Sequence, residues 1–292
     1  MQMIYNNIVL HHPIYNKRKK TMLKNKNFAI IFWGVSILFA LIATFLRTHS
    51  MASYYDGAAG YFASESILPY VITAVIAAMV LILATIMFII PKNEVAISLT
   101  ASPLMAFASA LTCFVFALIF IFSVFSLNSE SSALGLGMTA LALLSAIYFA
   151  FDLLTRKKDS QKLSDLKAVL GLAPAFWFLL LMLSVYFDRS LPTNSPIKNF
   201  VYITLIAAIL SVIYECHLYL GYRQSHIYLG ISYIATMLCF SLSISHIVCA
   251  NLSASSYMLS PMYDYAVLAM GIYTAVRSFE LSLAISKGNE EK

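Results

Sequence analysis

Eight apolar runs follow one another along the chain, each near the roughly 20 residues that a helix needs to cross about 30 Å of hydrocarbon. They are Phe28 to Leu46, Leu68 to Ile90, Pro103 to Leu127, Leu134 to Leu154, Ala168 to Phe187, Phe200 to Leu220, Ile227 to Ala250 and Tyr263 to Ile285. None of them alternates polar with apolar positions, as strands of a closed barrel would, and in lipid only helices and barrels satisfy every backbone group. The pattern therefore predicts an all-α, polytopic transmembrane helix bundle of eight spans. Between its fourth and fifth runs lies the one strongly charged stretch after the N-terminal tail, Arg156 to Lys167.

Composition sharpens this picture. The chain of 292 residues is 61% hydrophobic and 11% charged, too little polar surface to cover such segments in water. The implied solvent and first partner is a lipid bilayer. Sixteen of the nineteen Lys and Arg residues fall on one side if the N-terminus is cytoplasmic: six in the tail, Lys92, five in 156–167, Arg223, Arg277, Lys287 and Lys292. Only Arg47, Arg189 and Lys198 fall outside. Positive charge collects on the cytoplasmic side, so the expected topology is N-in/C-in. The formal charge of +6 is then a consequence of topology and implies no nucleic-acid partner. The basic segments suit contact with anionic headgroups, worth about 1 kcal/mol per side chain near the surface.

The sequence divides into a basic cytoplasmic tail (1–27), four spans (28–155), a basic connector (156–167), four spans (168–285) and a short cytoplasmic tail (286–292). The first run begins too late and runs too long for the core of a removable signal, so it reads as an uncleaved anchor. Met22 reads as an alternative start, because Lys17 to Thr21 before it can be encoded by a purine-rich tract such as a bacterial ribosome-binding site. That argument and the Lys/Asn-rich tail place the protein in a bacterial plasma membrane, with residues 1–21 not native and the tail disordered. The longest connection, Arg47 to Ile67, carries Tyr54-Tyr55-Asp56-Gly57 and Gly60-Tyr61-Phe62. Such aromatics suit the headgroup layer, and a lid over an outward-facing cavity is the alternative.

Phe32-Trp33 and Phe176-Trp177, with Pro69 and Pro196, hint at two tandem four-helix halves in parallel orientation. The spacing between Trp and Pro differs in the two halves, 36 residues against 19, so a repeat requires the long first loop to be an insertion.

Charges inside spans are costly and mark candidate chemistry. Asp152 has Arg156 four residues on, and Arg277 has Glu280 three residues on, so each is expected to pair along its own helix near the interface. Glu215 has no basic neighbour on its own helix and lies about 22 Å below Phe200 at 1.5 Å per residue. It snorkels, pairs across helices with Arg277, or lines a ligand or ion site. His217 is about 200° round the helix from Glu215 and cannot share its face. In the seventh run Ser241, Ser245 and Cys249 form a small-polar stripe at spacing four, with His246 beside it. Close helix packing is the ordinary use of such a stripe, and an outward-facing polar pocket is the alternative. Glu215, Arg277, Ser241, Ser245 and His246 are thus the candidate polar interior.

Cys113, Cys216, Cys239 and Cys249 all lie within spans and have no Cys-x-x-Cys spacing, so they read as packing residues. The chain lacks His-Glu-x-x-His, Gly-x-Ser-x-Gly and any phosphate-binding Gly-rich loop. No catalytic residue, metal site or cofactor is expected, and the protein is read as a non-enzyme. Two function classes remain. One is a small-molecule binding or permease-like protein; the other is a non-catalytic membrane subunit, sensor or scaffold acting through helix packing. A water-sized cavity reaching Glu215 or His246 separates them.

Overall fold

A computed structural model describes residues 28–56, 59–62, 67–89, 102–126, 132–155, 161–190, 192, 195–222, 224–251 and 261–288. The N-terminal tail with Met22, and the connector residues 156–160 with Arg156, lie outside the described residues. The helices are α1 (Phe28–Tyr54), α2 (Leu68–Ile89), α3 (Pro103–Ser126), α4 (Ala133–Thr155), α5 (Gln161–Leu170), α6 (Leu172–Phe187), α7 (Pro196–Tyr219), α8 (Ser225–Asn251) and α9 (Pro261–Gly288). Eight spans result, since α5 and α6 run together as the fifth, Lys162–Phe187. Two short antiparallel strands, β1 (Tyr55–Asp56) and β2 (Tyr61–Phe62), pair Tyr55 with Phe62 directly after α1.

Local chemistry accounts for the ends and the one break. Pro103, Pro196 and Pro261 open α3, α7 and α9, at the first helical position, where a missing N–H costs nothing. Pro174 offers no donor to the carbonyl of Leu170 and its ring crowds that carbonyl, so the helix is interrupted at Gly171 between α5 and α6. The interruption is also tight. A Cβ on Gly171 would lie 2.7 Å from the Cys216 sulfur and 3.1 Å from the Lys167 carbonyl oxygen. Residues 161–170, read from the sequence mainly as connector, are therefore helix, and Lys167 points back into the bundle.

Six helices close a ring, each packed on the next in the order α3, α4, α6, α7, α8, α9 and back to α3. Inside it Phe116, Trp177 and Phe178 pack edge to face, Phe149 stacks on Phe116, and Tyr273 lies against Phe149 at 5.0 Å. α1 and α2 lie outside the ring against α8, and α5 lies against α7 and α4. The two sequence halves interleave: α8 packs on α1 and α2, and α9 on α3. α8 can serve so many neighbours because it is rich in small residues, among them Gly230, Ser232, Ala235, Cys239 and Ser243.

The outward faces carry Phe45, Phe88, Phe107, Phe125 and Leu154, all largely exposed. Apolar surface on this scale has no place in water. With eight helices long and apolar enough to cross a bilayer, the chain is an integral, multi-pass membrane protein.

Candidate functional site

Charged side chains are buried at both ends of the ring. At one end the last turns of α4 and α7 converge with α5 and with the stretch of α9 that carries Tyr273 and Arg277. Glu215, 1% exposed, accepts the Arg277 Nε–H at 2.8 Å and the Tyr273 hydroxyl at 2.8 Å. Arg277 Nη2 donates to the Tyr219 oxygen. Tyr219 in turn has one proton to share between Glu215 and Asp152, each 3.2 Å away. Asp152 takes Lys167 Nζ at 3.1 Å and the Ser109 hydroxyl at 2.9 Å, and lies 4.0 Å from Arg277 Nη2. Two carboxylates thus face two cations, and hydroxyls from α3, α7 and α9 add further hydrogen bonds to them. Satisfied in this way, a buried ionic network is tolerated; stripped of one partner it is not.

Glu215 and Arg277, 62 residues apart, meet directly. The expected pair of Arg277 with Glu280 does not form. Arg277 turns to Glu215 and Tyr219 and away from Glu280, three residues along its own helix; both Glu280 oxygens are buried without a hydrogen-bond partner. Asp152 bonds Lys167 of α5, whereas Arg156 lies outside the described residues. An i,i+4 pair keeps both groups on one helix face, and the face of α4 that carries Asp152 is turned to the other helices.

At the opposite end, His246 Nδ1 lies 3.0 Å from Asp264 Oδ1, joining α8 to the first turn of α9. Arg47 comes from α1, is 7% exposed, and holds its guanidinium carbon 3.7 Å above the centroid of Phe200. It sits in electrostatic reach of Asp264. The β1–β2 hairpin anchors beside this cluster. Ser195, which precedes α7, donates its hydroxyl to the Gly60 carbonyl at 2.8 Å, and Tyr55 packs edge to face on Phe62 at 5.7 Å. Burial pushes the Tyr55 phenol above its ordinary range. Lys198, also buried, donates to the Asp188 carbonyl.

The candidate polar interior is therefore divided between two ends. Glu215 and Arg277 belong to one, His246 to the other. Between them Ser245 donates to its own helix at Ser241 O, 2.6 Å away, as packing serines do. Ser241 is buried and its hydroxyl makes no hydrogen bond. The α8–α9 seam is pinned by Thr236 with Thr274 at 3.1 Å and Tyr233 with Ser282 at 2.9 Å.

Arg47, Asp264, Tyr219 and Lys167 take part without having been singled out by sequence reasoning. A usable signal for Arg47 was present. Ser36, Ala40, Ala43, Arg47 and Ser50 recur at helical spacing, a small-residue face with an arginine on it, and all five are buried. Among the described residues no group of three or more His, Cys, Asp or Glu is placed to hold a metal ion.

A groove of about 250 Å³ lies between α3 and α9, lined by Leu111, Phe114, Leu118, Tyr265, Leu268 and Ile272 among others. Its lining is apolar and includes no member of either charged cluster. Compared with known proteins, the chain matches no family model, no curated protein and no solved structure.

Proposed function

We propose that this integral membrane protein is a small-molecule binding, permease-like protein of a bacterial plasma membrane, in which the two buried charged clusters form the closures at the two ends of the helix ring. The observation that carries the reading is the burial of ionisable side chains at both ends of the same ring. A charge within a span costs about 2.5–3.5 kcal/mol on insertion scales, an expense that a purely apolar bundle avoids. Each cluster also ties together helices far apart in sequence, α4 and α5 with α7 and α9 at one end, α1 with α8 and α9 at the other. Releasing one cluster frees those helix ends while the other holds.

The distribution of Lys and Arg assigns both termini and the Glu215–Arg277 cluster to the cytoplasmic side, and Arg47, His246 and Asp264 to the outer side. The basic cytoplasmic segments then meet anionic headgroups. No catalytic role is proposed for any residue.

The test replaces Cys113, Cys216, Cys239 and Cys249 and introduces Ser145→Cys or Thr204→Cys inside the ring. A membrane-impermeant maleimide applied from the cytoplasmic side is expected to label these cysteines faster once Glu215→Gln is added. Labelling that stays absent with either cluster opened sinks the reading.

The second reading, a non-catalytic membrane subunit, sensor or scaffold acting through helix packing, is favoured by the direct bonding within the Glu215 cluster and by a groove whose lining excludes both clusters. It predicts unreactive cysteines in every variant.

A further inference from the structure

A guanidinium recognises carboxylate and phosphate groups through one particular edge, where Nε–H and an Nη2–H run parallel and meet two oxygens at once. The two buried arginines among the described residues can be compared on that edge. In Arg277 it is filled, Nε by Glu215 and Nη2 by Tyr219. In Arg47 the same two atoms, Nε and Nη2, are buried and make no hydrogen bond. A buried donor left unpaired is costly, and more so on a charged group.

The surroundings do not supply what is missing. Phe200 occupies one face of the guanidinium at 3.7 Å and takes none of the hydrogen-bonding capacity of its edge. Asp264, the buried carboxylate within electrostatic reach, is engaged by His246 Nδ1 at 3.0 Å. α7 starts close by, four residues before Phe200. Ser195 ahead of it gives no side-chain cap, its hydroxyl being turned to Gly60. The partial positive charge of that helix end therefore adds to the charge of Arg47.

We propose that the Nε/Nη2 edge of Arg47 binds an oxyanion, the carboxylate or phosphate of a small solute or of a lipid headgroup, at the end of the bundle opposite Lys167. This deepens the ligand-binding reading above: it names the chemistry of what is bound and the side chain that binds it. The lone planar fork suits a group with two accessible oxygens and disfavours chloride, which can accept from the fork only as a single point.

The test uses the full chain, delipidated in a maltoside detergent that carries no phosphate, with thermal unfolding as the readout. Sodium acetate, benzoate and phosphate are compared with chloride at matched ionic strength, and phosphatidylglycerol and phosphatidylcholine are added in separate samples. At saturation one oxyanion is expected to raise the Tm of the wild-type protein by about 5 °C or more. Arg47→Lys keeps the charge and the apolar stem but loses the fork, so its apparent Kd rises about tenfold or more. Arg47→Gln loses the response.

Action by a soluble oxyanion assigns the site to a solute, and action by phospholipid alone assigns it to a headgroup. No Arg47-dependent shift with any probe, or an equal shift in Arg47→Lys, overturns the proposal. The wild-type measurement decides the first of these even if Arg47→Gln fails to fold. Binding here needs no transport. A positive shift alongside unreactive ring cysteines would sink the permease reading alone; the reverse outcome would sink the oxyanion site alone.

Discussion

Glu215 is the residue on which the choice between a snorkelling acid and a buried pair turns. With three donors converging on one of its oxygens, at 2.8, 2.8 and 3.2 Å, it behaves as half of a pair. Glu215→Gln should lower the unfolding midpoint. Asp152, 4.0 Å from Arg277, still offers that cation a counter-charge, so the loss stays below the roughly 3–5 kcal/mol expected when a buried pair is broken outright. Arg277→Met leaves two carboxylates against Lys167 alone and should show the larger loss. Unfolding in detergent, followed by circular dichroism, checks the order. Equal stability of all three proteins would mean that Glu215 reaches interfacial water. Glu280 is the contrasting case, because its buried oxygens have no donor to lose. Glu280→Met should raise the midpoint, removing an unsatisfied group worth about 1–3 kcal/mol.

At the scale of the element, α8 decides the packing, and its neighbours test how closely. A Cβ on Gly271 of α9 would lie 3.0 Å from the Cys239 Cβ, a rigid atom, and 3.3 Å from the Phe240 ring. Gly271→Ala should therefore overpack the α8–α9 seam and cost about 1–3 kcal/mol. Gly34 of α1 has nothing within 4 Å of the same position. There alanine brings only its better helix propensity, and Gly34→Ala should gain about 0.5–1 kcal/mol. The pair measured in one thermal-unfolding series separates packing from propensity; equal effects would mean that α8 and α9 do not approach as closely as described.

For the whole molecule, the interleaving of early and late helices ties function to both ends at once. α1 brings Arg47 to α8 and α9, and its other end hydrogen-bonds them as well, Trp33 Nε1 to the Ala275 carbonyl at 2.9 Å and Tyr233 to the Ala29 carbonyl at 3.0 Å. With sixteen of nineteen basic residues assigned to one side, a reporter active only in the cytoplasm should work when fused after Lys292 and fail when inserted after Ser190. Activity at both positions would overturn the N-in/C-in arrangement.

Sequence alone determined that the chain crosses a bilayer eight times as helices, because apolar length and period are one-dimensional properties and lipid reads them directly. It also isolated Glu215 as a charge with no partner on its own helix, and placed Arg277 at a similar depth. What it could not determine was rotation. Whether Asp152 turns to Arg156 or to Lys167, whether Arg277 turns to Glu280 or to Glu215, and whether Arg47 belongs to a loop or to a buried face all depend on the angle of each helix about its axis. That angle is set by which helices pack together and by the close approach that small residues on α8 permit. Hence Glu215, Arg277, Ser241, Ser245 and His246 read together as one polar interior, while the fold sends the charges to opposite ends and leaves Ser245 to bond its own helix. The partner of a buried charge is a property of the packed bundle, since only there do groups 62 residues apart come within 3 Å of each other.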